Sequence, residues 1–137
     1  MGYVDVRITL KNAVDVSMVQ RGIITEPEIH QTTVQAMVDA GATYLIINRK
    51  LLQELGLNTV NQRRVSFTNG AGAVCKMTEP IEIHWENRFI PMPALLVDDA
   101  QEILLGAYPL EGMDLTVDPV NLKLTGAHGD VPMCYCY

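Results

Sequence analysis

The 137-residue sequence is short of several features that would tie it to common classes of protein. Its three cysteines, Cys75, Cys134 and Cys136, are odd in number and make no disulfide framework. A reducing compartment fits them. Positive charge is scarce: 10 Lys and Arg stand against 16 Asp and Glu, for a net charge of −6, and basic doublets occur only at Arg49-Lys50 and Arg63-Arg64. Such a chain repels a nucleic-acid backbone, so no nucleic-acid partner is expected. No apolar run approaches the roughly 18 residues of a membrane span, and Met1 to Leu10 is interrupted by Asp5 and Arg7, unlike the apolar core of a secretion signal. The expectation is a soluble, cytoplasmic protein with no membrane partner. His30, His84 and His128 are too dispersed for a metal site, and Cys134-x-Cys136 reads as incidental. No metal and no cofactor are expected.

The apolar content, 48%, with 19% charged residues, belongs to a folded chain rather than a disordered one. A chain of this length hides roughly two-thirds of its extended surface on folding, enough for a core without staples.

Period-two patterns dominate. Val4, Val6, Ile8 and Leu10 alternate with Asp5, Arg7 and Thr9, as in a half-buried strand. Thr32 to Asp39 reads as a second strand, and Ala40-Gly41-Ala42 lets the backbone turn at its end. Leu45 to Ile47 reads as a strand leading into a short helix through Leu51, Leu52 and Leu55, with Gly56 as its left-handed cap. Val65–Phe67 and Val74–Met77 flank Thr68-Asn69-Gly70-Ala71-Gly72-Ala73, a glycine-rich hairpin tip. Ile81, Ile83 and Trp85 alternate toward a second hairpin, and Trp85 reads as core. Pro91 and Pro93 mark the return segment as an edge or bulged strand. Ile103-Leu104-Leu105-Gly106 reads as a buried strand, Pro109 to Gly112 as a short helix closed by glycine, and Met113–Val117 and Val120–Leu124 as closing strands. Residues 11–27 fit either strand or irregular chain. The expected organisation is one mainly β domain over 1–125 and a flexible tail over 126–137.

Three motifs in this order, Val38-Asp39-Ala40-Gly41-Ala42-Thr43, Leu51-Leu52-Gln53-Glu54-Leu55-Gly56-Leu57, and Leu104-Leu105-Gly106 followed by Leu110-Glu111-Gly112-Met113, resemble the retropepsin-like aspartic proteases. The resemblance implies an all-β, closed acid-protease barrel with one or two short helices. It also implies a homodimer that takes peptide or protein substrates and needs no cofactor. By the same resemblance Asp39 is the catalytic residue, and Ala40, Gly41, Ala42 and Thr43 form its turn. Asn69, Gly70, Ala71 and Gly72 belong to a flap over the substrate, and Leu105-Gly106 packs beneath the site.

The sequence departs from the family inside its key motif. The family has Thr or Ser directly after the aspartate, where this chain has Ala40. In the family that hydroxyl bonds across to the partner's turn, and two such symmetric bonds amount to roughly 1–3 kcal/mol. Two readings therefore stand together: an aspartic endopeptidase, and a catalytically weak or inactive module that binds peptides or self-associates. A β scaffold unrelated to proteases is a third.

Overall fold

The computed structural model describes residues 3–67 and 69–136. Met1, Gly2, Thr68 of the expected hairpin tip and Tyr137 of the expected tail lie outside the described residues.

Strand β1 (Asp5–Asn12) alternates as its sequence predicts, burying Val6, Ile8 and Leu10 and exposing Asp5 and Arg7. It pairs antiparallel with β2 (Gln31–Val38). Between them lies helix α1 (Ala13–Gln20), which the sequence left unassigned. Its start is set by Asn12, whose Oδ1 accepts from the Val14 and Asp15 amides at 3.0 and 3.1 Å while its Nδ2 donates to the Leu55 carbonyl at 2.9 Å. The helix carries no apolar stripe, because its one buried residue is Asp15. That carboxylate accepts from the His30 amide at 2.9 Å and sits 2.8 Å from His30 Nδ1. A helix held by a polar anchor leaves no apolar periodicity to read.

After β2 come β3 (Leu45–Ile47) and helix α2 (Arg49–Glu54). Asn48 caps α2 by accepting from the Leu51 amide at 3.0 Å. Gly56, at φ 59°, ends it as expected, and the Leu57 amide turns back to the Leu52 carbonyl. Two hairpins follow: β4 (Thr59–Ser66) with β5 (Gly72–Thr78), and β6 (Ile81–Trp85) with β7 (Arg88–Met92). Strand β8 (Ala94–Leu96) pairs with β3 and β5, and β9 (Ile103–Leu105) pairs with β2 and β3. Helix α3 (Ala107–Gly112) leads to β10 (Leu115–Asp118) and β11 (Lys123–Gly126), which form a separate two-stranded sheet.

The larger sheet has nine strands in the order β4-β5-β8-β3-β9-β2-β1-β6-β7. The chain is mainly β, as expected. The strand order ends at β4 and β7, so among the described residues no hydrogen-bonded closure joins these two ends. The end position of β7 answers to Pro91, which has no amide proton to give a further neighbour. Ile8, Leu10, Leu45, Ile47, Leu55, Ile81, Ile83, Leu105 and Met113 are completely or almost completely buried, and Trp85 packs against this core at partial burial.

The short helix ends on Gly112, as expected, but not through a left-handed glycine. The positive φ, 55°, belongs to Asp114. Space is what selects glycine at 112: a Cβ there would stand 2.8 Å from Ile90 Cγ1.

Residues 126–133 are tied to the body by a buried pair. Arg88, 4% exposed, donates to the carbonyls of Met113 and Asp114 at 2.9 and 2.7 Å and to that of Gly129. Asp114 accepts from the Met133 amide at 3.0 Å and sits 2.8 Å from His128 Nδ1. Burial pushes the Asp114 carboxyl up, but the His128 and Met133 hydrogen bonds and the charges of His128 and Arg88 hold it below the usual carboxylate value. A depressed folded-state pKa contributes stability at neutral pH that is lost as pH falls through that lower value. Asp114→Asn should therefore lower the denaturation midpoint at pH 7, and the gap from the parent should shrink below about pH 4. Chemical denaturation across pH, with limited proteolysis reporting release of residues 126–133, measures both effects.

Candidate active site

The Asp39 turn is built by two strands and a third threaded between them. Strand β2 delivers the chain to Asp39, and β3 carries it away after Tyr44. Strand β9 runs between the two, parallel to β2 with Val38 opposite Leu105, and antiparallel to β3 with Leu45 opposite Leu105. The Asp39 amide donates to the Leu105 carbonyl at 3.0 Å, and the Ala42 amide closes the turn onto the Asp39 carbonyl at 3.0 Å. Beyond Gly106, the amides of Ala107 and Tyr108 donate to the carbonyls of Ala42 and Thr43 at 2.8 and 2.9 Å. The two ends of the Asp39 turn are thus bonded to one continuous segment, Leu105 to Tyr108.

Gly106 is required by this crossing. Its φ is an ordinary −88°, but a Cβ would fall 2.3 Å from the Tyr44 carbonyl oxygen and 2.7 Å from that of Ala42. Leu105 is fully buried, and its carbonyl is the one that accepts from the Asp39 amide.

Asp39 itself is half-buried, and Ala40 and Gly41 are exposed. One carboxylate oxygen, Oδ1, accepts from the Gly41 amide at 3.0 Å. The side chain is therefore oriented by its own turn and open to one side.

A cleft of about 590 Å³ lies over this turn, lined by Asp39, Gly41, Ala42 and Thr43, by Tyr44 and Ile46 as the chain enters β3, and by Arg63 to Ser66 of β4 with Phe67 just beyond it, Leu95, Leu104 and Tyr108. Tyr44 and Tyr108 meet edge to face at 5.4 Å. The Arg63 guanidinium carbon lies 5.8 Å from the centre of the Tyr44 ring. Asn69, Gly70, Ala71 and Gly72 are at the hairpin tip and do not line the cleft. There Asn69 Oδ1 accepts from the Ala71 amide at 2.9 Å, and Gly70 takes the positive φ, 83°, that the Asn-Gly pair predicts. Tyr44, Tyr108 and the arginines of β4 are cleft residues that the sequence reading missed. For Arg63 the available signal was alternation along β4, which puts it on one face with Val65.

Each histidine pairs with a carboxylate away from the cleft, Asp15 with His30, Glu82 with His84 and Asp114 with His128. The Sγ atoms of Cys134 and Cys136 are exposed and 3.9 Å apart.

An aspartate-bearing turn held by a threaded strand, under a hairpin that shares in its cleft, defines the retropepsin-like aspartic protease fold. Solved structures agree. The EIAV protease complexed with the inhibitor HBY-793 matches with a TM-score of 0.55 at 14% identity, over 80% of this chain and 86% of that one. A retropepsin-like aspartic protease from Rickettsia conorii matches with a TM-score of 0.54 at 15% identity, over 85% and 77%. The retroviral protease-like domain of Ddi1 from Leishmania major matches with a TM-score of 0.52 at 19% identity, over 74% and 84%. No curated protein sequence matches the chain. Residues 25–111 match the family described as gag-polyprotein putative aspartyl protease, and the chain belongs to that family.

Because Gly106 lies against two carbonyl oxygens of the backbone, the overlap has no flexible side chain to relieve it. Gly106→Ala should cost about 3 kcal/mol, seen as a lowered denaturant midpoint with an unchanged slope.

Proposed function

We propose that the chain is an aspartic endopeptidase that works as a homodimer, with Asp39 and the partner's Asp39 forming the catalytic pair. The observation that carries this reading is the Asp39 turn. Its amide is fixed to β9, its carboxylate is oriented by Gly41, and the Ala40–Gly41 apex is exposed where a second copy has access. Family membership and the cleft over the turn support it.

One carboxylate does not meet the chemical need, because amide hydrolysis takes a base to activate water and an acid for the departing nitrogen. Two carboxylates about 3 Å apart share one proton, as aspartic proteases do, and so hold both roles. The ionised member takes a proton from water as the water oxygen bonds to the scissile carbonyl carbon, and the protonated member hydrogen-bonds the carbonyl oxygen. A proton then passes to the amide nitrogen, the C–N bond breaks, and the pair returns to a single shared proton. An isologous two-fold contact supplies both residues from one sequence.

Ala40 favours a second reading, in which the same dimer binds peptides with little or no cleavage. Without a hydroxyl at position 40 the paired turns lose a cross-link, and a displacement of about 1 Å in catalytic groups costs on the order of a hundredfold in rate.

Asp39→Asn should abolish cleavage of a peptide library at acidic pH and leave the circular dichroism spectrum unchanged; retained cleavage would sink the assignment. Ala40→Thr should raise kcat/KM by about tenfold and tighten the dimer in sedimentation, in line with restoring roughly 1–3 kcal/mol of hydrogen bonding. Strong cleavage by the parent would exclude the binding-only reading. A parent inert where Ala40→Thr cleaves would establish it.

A further inference from the structure

The protein carries a net charge of −6, yet among the described residues the cleft over Asp39 has two arginines, Arg63 and Arg64, and Asp39 as its one acidic lining residue. None of the ion pairs among the described residues involves either arginine. Asp39 and Arg63 share the cleft without neutralising each other.

Arg63 is the better placed of the two. Alternation along β4 sets it on one face with Val65, and its guanidinium stands over the Tyr44 ring, which is braced edge to face by Tyr108. A guanidinium over an aromatic ring uses its flat face and keeps the N–H groups at its rim for a planar acceptor. The acceptor that matches such a fork in a peptide is a carboxylate, bound through two parallel hydrogen bonds. The same cleft includes the apolar side chains of Ile46, Val65, Phe67, Leu95 and Leu104 in its lining.

We propose that Arg63 anchors a carboxylate-binding subsite, so that the cleft selects peptides carrying Asp or Glu beside apolar residues near the bond held at Asp39. This substrate class rests on the protease reading for cleavage, and on the cleft alone for binding.

The test uses the full chain and matched peptides that differ only in Glu, Gln or Lys at one position, moved stepwise along an apolar sequence. Each is made in a cleavable form, read as kcat/KM, and in a form with a reduced peptide bond, read as Kd by fluorescence anisotropy. The parent should favour Glu over Gln by about tenfold at the best position, mainly in KM and Kd, and the preference should fall as salt rises. Arg63→Gln should remove the preference, Arg63→Lys should retain part of it, and Arg63→Glu should turn it toward Lys. Since position 63 is exposed on its strand, these variants should fold, and the parent's own preference tests the idea without them.

A parent that binds Glu, Gln and Lys peptides equally, or binds none, overturns the subsite, as does a Glu preference that survives in Arg63→Glu. Binding with the expected preference but no Asp39-dependent cleavage supports the subsite and rejects the protease reading. Asp39-dependent cleavage without preference does the reverse.

Discussion

The arrangement on which the site depends is the passage of β9 between β2 and β3. Two strands joined by the Asp39 turn would ordinarily pair with each other, but here each pairs with β9 instead. The turn is therefore stretched across the end of a third strand. Its carbonyls at Ala42 and Thr43 are answered by amides beyond Gly106, and the Asp39 amide by Leu105. The crossing works because position 106 has no side chain: the backbone passes where a Cβ would meet the Tyr44 oxygen at 2.3 Å. A glycine some 67 residues downstream in sequence thus shapes the surroundings of the aspartate.

Among the described residues, every buried side-chain nitrogen and oxygen has a hydrogen-bond partner. Asn12 bonds both to the start of α1 and to the end of α2. Asp15 holds the approach to β2 through His30, and Arg88 with Asp114 binds the segment after β11. Buried polar groups stabilise a unique arrangement only when every donor and acceptor is met, and these anchor elements whose apolar content is slight. Asp39 is held differently. Its backbone is fixed, but its carboxylate has a single bond to its own turn and remains half-exposed, which leaves it free for chemistry or for a partner.

Much of the β framework was legible in the residues. Alternation located β1 and β6, the Asn69-Gly70 turn placed β5 beyond it, Pro91 marked β7 as an end strand, and Gly56 marked the end of α2. Helix α1 was not legible, because its anchor is a buried carboxylate and its valines carry no helical stripe. Gly112 closes α3 as read, but its lack of a side chain answers to Ile90, a contact invisible in sequence. Residues 126–133 lack periodicity and read as a loose tail, but their bonds to Arg88 and Asp114 are single polar contacts that make no pattern. In the cleft, Asp39 was marked by three motifs taken in order, whereas Tyr44, Arg63 and Tyr108 are ordinary residues until the fold gathers them.

By itself the sequence determined the local elements, the position of the aspartate-bearing turn and the glycines that bend the chain, because alternation, caps and turn residues act over a few neighbouring positions. Only the tertiary structure decided that β9 threads between β2 and β3, that the cleft wall is the Arg63–Phe67 side of its hairpin, and that the Arg63 guanidinium stands over Tyr44. Those outcomes depend on contacts between residues far apart in the chain, which come into being when the core closes.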